Sequence, residues 1–383
     1  MKYFNTLLLL AFLGIATSTF AQRYTSQVFS EVSVTTMAYG KNASFISLLD
    51  PDPNNNAHPL VHPLALDLYQ PVGDTETNRP LVLFFHTGNF LPHPANGGTG
   101  GLRTDSVAVE ICTRLAKMGY VAASVDYRLG WNPIDPSEQN RRYLLINAAY
   151  RGVQDARTCI RFFKKTVAES GNPFGIDPNK IVLWGTGTGG YISTNTASLD
   201  AYAKTLIPKF ILSTPIGPVP MIIEQINGNV EGTSVGIVAP GYPIFTPGDT
   251  LNYPNHVGYS SDFQLAVNMG GAIGDTSWID PGQPPVISYH VPTDPFAPYK
   301  EGIVYVPVTP PLAVVEVQGS YLIQKLSNQY GNNDAFANHD WIDPYTAVAD
   351  SRNDGYEGLF PFPIQDTTGN DPWNFWAWNN LNA

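Results

Sequence analysis

Three short apolar runs, each set apart from the next by a segment of helical period, constrain the fold of this chain more than any other feature. They are Leu81-Val82-Leu83-Phe84-Phe85, Tyr120 to Val125 and Ile181-Val182-Leu183-Trp184. Continuous apolar runs of this length belong to strands buried on both faces. Between the first two, Ala108, Ile111, Leu115 and Met118 recur at helical spacing; between the second and third, Ala149, Val153, Ala156, Ile160 and Phe163 do the same. This alternation predicts a mostly parallel sheet with helices on both faces. Residues 28–40 and 63–71 read as further strands, as do Phe263–Met269 and Pro285–His290, with a helix over 320–329. Residues 202–262 break the rhythm. Rich in Pro, Gly and Asn, with strand-like pieces at 209–214 and 234–239, they predict a cap-like insertion over the sheet's C-terminal edge, within one domain spanning 22–383.

Charge excludes several partners. The 383 residues carry 21 Lys and Arg against 32 Asp and Glu, a formal net charge of −11, with no basic run. A nucleic-acid surface needs clustered cations for the phosphate backbone, so none is expected. Lys2, the apolar run Leu7 to Ala16 and the Thr19-Phe20-Ala21 end read as a secretory signal peptide over 1–21, which predicts a secreted or periplasmic protein with no membrane span. Export permits a disulfide, but Cys112 and Cys159 fall on successive crossover helices expected on opposite faces of the sheet, so both thiols should be free. The D-x-D-x-N spacing from Asp50 resembles a calcium loop, yet Pro51 and Pro53 interrupt it, Asn55 stands where Gly is needed, and Val61 where Glu is needed. His58 and His62 are separated by three residues, but they, like His93 and His256, fall in irregular segments, so no metal site is expected, and no motif calls for a cofactor.

The third apolar run leads into Gly185-Thr186-Gly187-Thr188-Gly189-Gly190 and then a helical stretch. A phosphate-binding loop is one reading, but neither G-x-G-x-x-G nor GK[ST] is present, and a dinucleotide loop follows the first strand of its unit. The other is a nucleophile elbow, in which small residues flank a sharp strand-to-helix turn that raises the central side chain above the sheet edge.

The surrounding segments favour the elbow. His86-Thr87-Gly88-Asn89-Phe90, Val125-Asp126-Tyr127-Arg128-Leu129, Gln154-Asp155-Ala156-Arg157, Phe174-Gly175-Ile176-Asp177-Pro178-Asn179-Lys180-Ile181 and Pro285 to Tyr299 resemble, in this order, segments of the α/β-hydrolase superfamily, and within it secreted bacterial carboxylesterases and lipases. The resemblance covers about 64–200 and 263–330. It implies an α/β-hydrolase fold with an inserted cap and an ester or acyl ligand. It places Gly187 at the nucleophile position, where serine is expected, and Asp294 at the acid. Gly88, Asn89 and Thr188 fall in the oxyanion hole, with Thr87 and Asn89 replacing glycines of an H-G-G-G-F loop. The base falls on His339 or, if it has been lost, on the position of Tyr356. His86 and His290 read as structural.

Glycine has no side chain to attack a carbonyl, and a triad acts as a unit. The sequence thus leaves three readings: a catalytically impaired carboxylesterase-like protein, an active ester hydrolase using Thr186, Thr188 or a nucleophile elsewhere, or a non-catalytic binding module. For the last, Trp373, Phe375, Trp376 and Trp378 in the aromatic arm 340–383 offer rings for a glycan, or else pack on the domain.

Overall fold

The computed structural model describes residues 23–46, 58–93, 95–98, 100–214, 217–242, 245–337 and 343–362. The signal-peptide segment, most of the Asp50 loop, His339 and the tryptophans of the C-terminal arm lie outside them. The elements run β1 (Val32–Ser44), β2 (Leu60–Pro71), β3 (Arg79–Phe85), α1 (Ser106–Lys117), β4 (Val121–Val125), α2 (Glu138–Glu169), β5 (Ile176–Thr186) and α3 (Thr188–Ser198). There follow β6 (Ile211–Thr214), β7 (Gly217–Pro220), the single turn α4 (Glu224–Asn227), β8 (Gly236–Ile237), β9 (Thr250–Asn252), β10 (Leu265–Met269), β11 (Ala272–Ile273) and β12 (Val286–His290). The last are β13 (Glu301–Val306), β14 (Leu312–Gly319), α5 (Ser320–Gln329), α6 (Pro344–Asp350) and β15 (Leu359–Pro361).

The main sheet has eight strands in the order β1-β2-β4-β3-β5-β10-β12-β15. Only β2 runs against its neighbours; β4, β3, β5, β10, β12 and β15 are parallel. The apolar runs give the sheet two buried faces. Leu81, Leu83, Phe85, Val121, Ala123 and Leu183 join one core with α2 and α3. Phe84 and Ala122, one residue out of phase, join another with α1. The chain steps from β3 through α1 to β4, then reverses through α2 to β5 on the far side of β3. Right-handed crossovers in opposite directions place their helices on opposite faces. Accordingly Cys112 sits in the second core and Cys159 in the first; both are buried and free, and burial pushes both thiols up.

The segment between α3 and β10 divides in two. Its first part, with Thr205, Phe210 and Ile222, roofs a cavity above the C-terminal ends of the strands. Its second part wraps α2: Gln154 donates to the carbonyls of Asn227 and Asn229, and Arg157 and Arg161 pair with Glu231. The strand-like piece at 234–239 shortens to the two residues of β8. A second roof comes from the β13–β14 hairpin, which β11 joins into a three-stranded sheet. No helix among the described residues is long and apolar enough to cross a membrane.

Candidate active site

The C-terminal ends of β3, β5, β10 and β12 converge on the turn after β5. Thr186 ends the strand, Gly187 is the N-cap of α3, and Thr188 begins the helix. Gly187 has φ 53° and ψ −113°, a conformation strained for any residue with a Cβ. Its N–H donates to the Met269 carbonyl at the end of β10 (2.7 Å). The flanking glycines are set by packing. A Cβ at Gly185 would run into the Gly189 backbone, and one at Gly189 into the Phe85 carbonyl. Strand and helix therefore cross at backbone contact, and the elbow geometry persists with no side chain at its apex.

The space above that apex is filled. A Cβ built on Gly187 would overlap Thr87 Oγ1 and lie 3.2 Å from Thr87 Cβ. Thr87 belongs to the loop after β3, where Gly88 has φ 123°, Asn89 φ 57° and Phe90 φ 55°. Trp131 Nε1 donates to the Asn89 carbonyl (2.7 Å) and Tyr127 Oη to the His86 carbonyl (2.9 Å), which anchors the loop on either side of Thr87 and Gly88. The sequence offers the N–H groups of Asn89 and Thr188 as oxyanion donors. In the structure the Asn89 N–H donates to the hydroxyl of Thr188 itself (2.7 Å). That N–H is thus engaged from within; Gly88 lies beside it with its carbonyl bonded to the Leu91 N–H.

The sheet has one antiparallel strand near one edge, and the sharp strand-to-helix turn follows the central β5. Residues 66–206 match the model of the BD-FAE family, an esterase-like α/β-hydrolase family. The fold is that of the α/β-hydrolases. No curated protein matches it. Solved structures similar to it include a thermophilic esterase from the planctomycete Thermogutta terrifontis with propionate bound, at 18% identity over 70% of this chain and 74% of that one (TM-score 0.38). Esterase 2 of Thermogutta terrifontis phosphorylated by paraoxon is similar at 18% over 70% and 73% (0.37), and the form phosphonylated by cyclosarin at 18% over 70% and 74% (0.36).

The other positions that the hydrolase resemblance singled out are unevenly placed. Asp294 follows β12, two strands from β5 and at the same sheet edge as Gly187. Its Oδ1 accepts from the N–H groups of Phe296 and Ala297, a turn-closing role, and its charge reaches Tyr191, whose phenol is pushed up by burial first and by Asp294 second. His339 lies outside the described residues. The final strand, β15, comes after it in the chain, and Tyr356 precedes that strand at its incoming end, with its ring against Tyr321.

None of the six described histidines lines the cavity. His86 is buried, stacked on Tyr127, with Nδ1 donating to the Thr87 carbonyl (2.6 Å); burial lowers its pKa against the pull of Asp126. His290 lies 2.7 Å from Ser320 Oγ and 3.1 Å from the Ala297 carbonyl, and burial pulls it down to about 4. Both hold loops, as the sequence suggests. Neither elbow threonine is placed to attack. Thr186 is buried with its hydroxyl toward the Met269 sulfur (3.9 Å), and the Thr188 hydroxyl is held by Asn89.

Beside the elbow opens a cavity of about 670 Å³, within the range of small-molecule sites. Its floor is α3 and the loop after β3, its walls include Trp131, Ile146 and Val153, and its roof is made by Phe210, Trp278 and the inner face of the β13–β14 hairpin. That hairpin escaped the sequence reading. Its signal was the alternation of less exposed Gly302, Val304 and Val306 with more exposed Glu301, Ile303 and Tyr305.

Proposed function

We propose that this α/β-hydrolase-fold protein is of carboxylesterase type, has lost ester hydrolysis, and keeps its cavity as a site for an ester-like or acyl ligand. One observation carries the reading: the elbow apex is a glycine, and Thr87 occupies the space a nucleophile's side chain would need. The internal bond between Asn89 and Thr188, and the absence of histidine from the described cavity wall, point the same way. Without nucleophile and base, what remains of the catalytic unit gives at most residual assistance over water.

The test is turnover of 4-nitrophenyl butyrate by the purified protein, with intact mass after exposure to an activated phosphonate. The expected result is hydrolysis at background and no mass increase. Turnover at ordinary enzyme rates, about 1–10³ s⁻¹, or a stoichiometric adduct would overturn the reading.

Export belongs to the same proposal, supported by Lys2, the Leu7 to Ala16 run and the small residues before Gln22. N-terminal sequencing of protein produced in a bacterial host should begin at Gln22. A retained Met1 in a membrane fraction would sink it.

A further inference from the structure

The cavity wall has an unusual charge inventory. Among the described residues that line it there is no Asp, Glu, Lys, Arg or His, in a chain with 21 Lys and Arg, 32 Asp and Glu and 7 His. Nearly every polar group that lines it is already engaged. Asn195 donates to the Tyr191 and Ala272 carbonyls and accepts from the Gly274 N–H. Tyr150 donates to the Gly228 carbonyl, Thr205 to the Tyr202 carbonyl, Trp131 to the Asn89 carbonyl and Trp278 to the Lys204 carbonyl. Thr188 accepts from Asn89. The exceptions near the elbow are two hydroxyls, that of Tyr191, which is buried without a partner, and that of Thr87. The Thr87 carbonyl accepts from His86, but its hydroxyl has no partner among the described residues, lines the cavity and stands over Gly187.

We propose that the cavity takes an uncharged, chiefly apolar molecule carrying one hydrogen-bonding group, an alcohol or an ester carbonyl, and that the Thr87 hydroxyl binds that group. This rests on the reading that the site binds without hydrolysing. The chemistry follows from what the wall lacks and what it keeps. A carboxylate entering here would give up its water and meet no cation among the described lining residues, which a low-dielectric site penalises heavily. A neutral ester or alcohol gives up far less, and Thr87 replaces its one hydrogen bond with water. The remainder of such a molecule lies along Phe210, Trp278, Val304 and Val315, all of them apolar wall. Ile134 and Tyr305, which also line the cavity, are 66% and 48% exposed and mark its mouth.

The experiment is calorimetry at pH 8 with three probes of one chain length: methyl decanoate, 1-decanol and decanoate. The ester and the alcohol should bind with 1:1 stoichiometry, and decanoate at least about 100-fold more weakly. Thr87→Val, which keeps the shape and removes the hydroxyl, should weaken ester and alcohol about tenfold; Thr87→Ser should restore them. Decanoate binding within threefold of the ester, an unchanged affinity in Thr87→Val, or no binding by any probe would overturn the proposal. The ester is recovered and weighed after each titration. Its conversion to decanoate and methanol would overturn the non-hydrolytic reading alone, because 1-decanol has no bond to hydrolyse and still tests the cavity's preference.

Discussion

Placing serine at position 187 should destabilise the protein, and removing the Thr87 side chain at the same time should give back part of the loss. The Gly187 backbone, at φ 53° and ψ −113°, costs a residue with a Cβ about 1–3 kcal/mol. The new Cβ also overlaps Thr87 Oγ1, so Thr87 must rotate or the loop must shift. Gly187→Ser alone should therefore cost about 2–4 kcal/mol, read from the urea midpoint at constant slope. Thr87→Gly removes the obstruction and leaves the backbone strain. The double variant should recover at least about 1 kcal/mol relative to the sum of the single changes, a coupling expected only of residues in contact. Strict additivity would show that the two side-chain positions do not compete for one space. Ester turnover should stay within about tenfold of the wild type in both variants, since no described histidine faces the apex. A rise of about 10³-fold in the double variant, abolished by His339→Ala, would instead identify His339 as a working base.

The second large effect lies behind the site. Arg128, just past the end of β4, is paired with Asp155 of α2 at 2.9 Å, and both side chains are almost wholly buried. Asp155 also accepts from the Arg128 N–H (2.8 Å), while the guanidinium reaches Gln154 Oε1 and the Leu251 carbonyl. One pair thus ties a core strand, a crossover helix and the wrapping segment together. Arg151 lies close by, over the Phe45 ring at 3.7 Å, pulled down to about 9 by burial first and by Arg128 second. Asp155→Ala would leave two buried guanidinium groups without their shared carboxylate. The expected loss is about 3–5 kcal/mol, a large part of a typical domain's 5–15. A shift in the urea midpoint worth less than about 1 kcal/mol would mean that water reaches the pair.

The parts of the fold that could be read from the sequence were those specified locally. Continuous apolar runs and helical spacing located β3, β4, β5, α1 and most of α2, because buried parallel strands need no partner information to be recognised. The elbow was legible for the same reason: the strand, the glycines and the helix are adjacent in the chain. The first turns of α2 were missed, since Glu138, Gln139, Arg141 and Arg142 carry no apolar spacing, although Arg141 is buried with its guanidinium on the Ala313 carbonyl. Thr87 filling the space over Gly187, and Thr188 engaging Asn89, join segments about a hundred residues apart. Composition and spacing hold no record of such contacts. The β13–β14 hairpin was written in period two, but Thr309-Pro310-Pro311 between its arms reads as irregular chain unless the two arms are considered together.

The close crossing at Gly185 and Gly189 separates two properties that an elbow usually carries together. The turn is held by backbone packed on backbone, which no substitution at the apex touches. The apex itself is where a reactive side chain is bought with conformational strain. A chain that has no use for such a side chain relaxes by carrying glycine there, while its architecture stays as it was. Loss of chemistry at this position is therefore a step toward greater thermodynamic stability, which makes it easy to take and, against that gradient, harder to reverse.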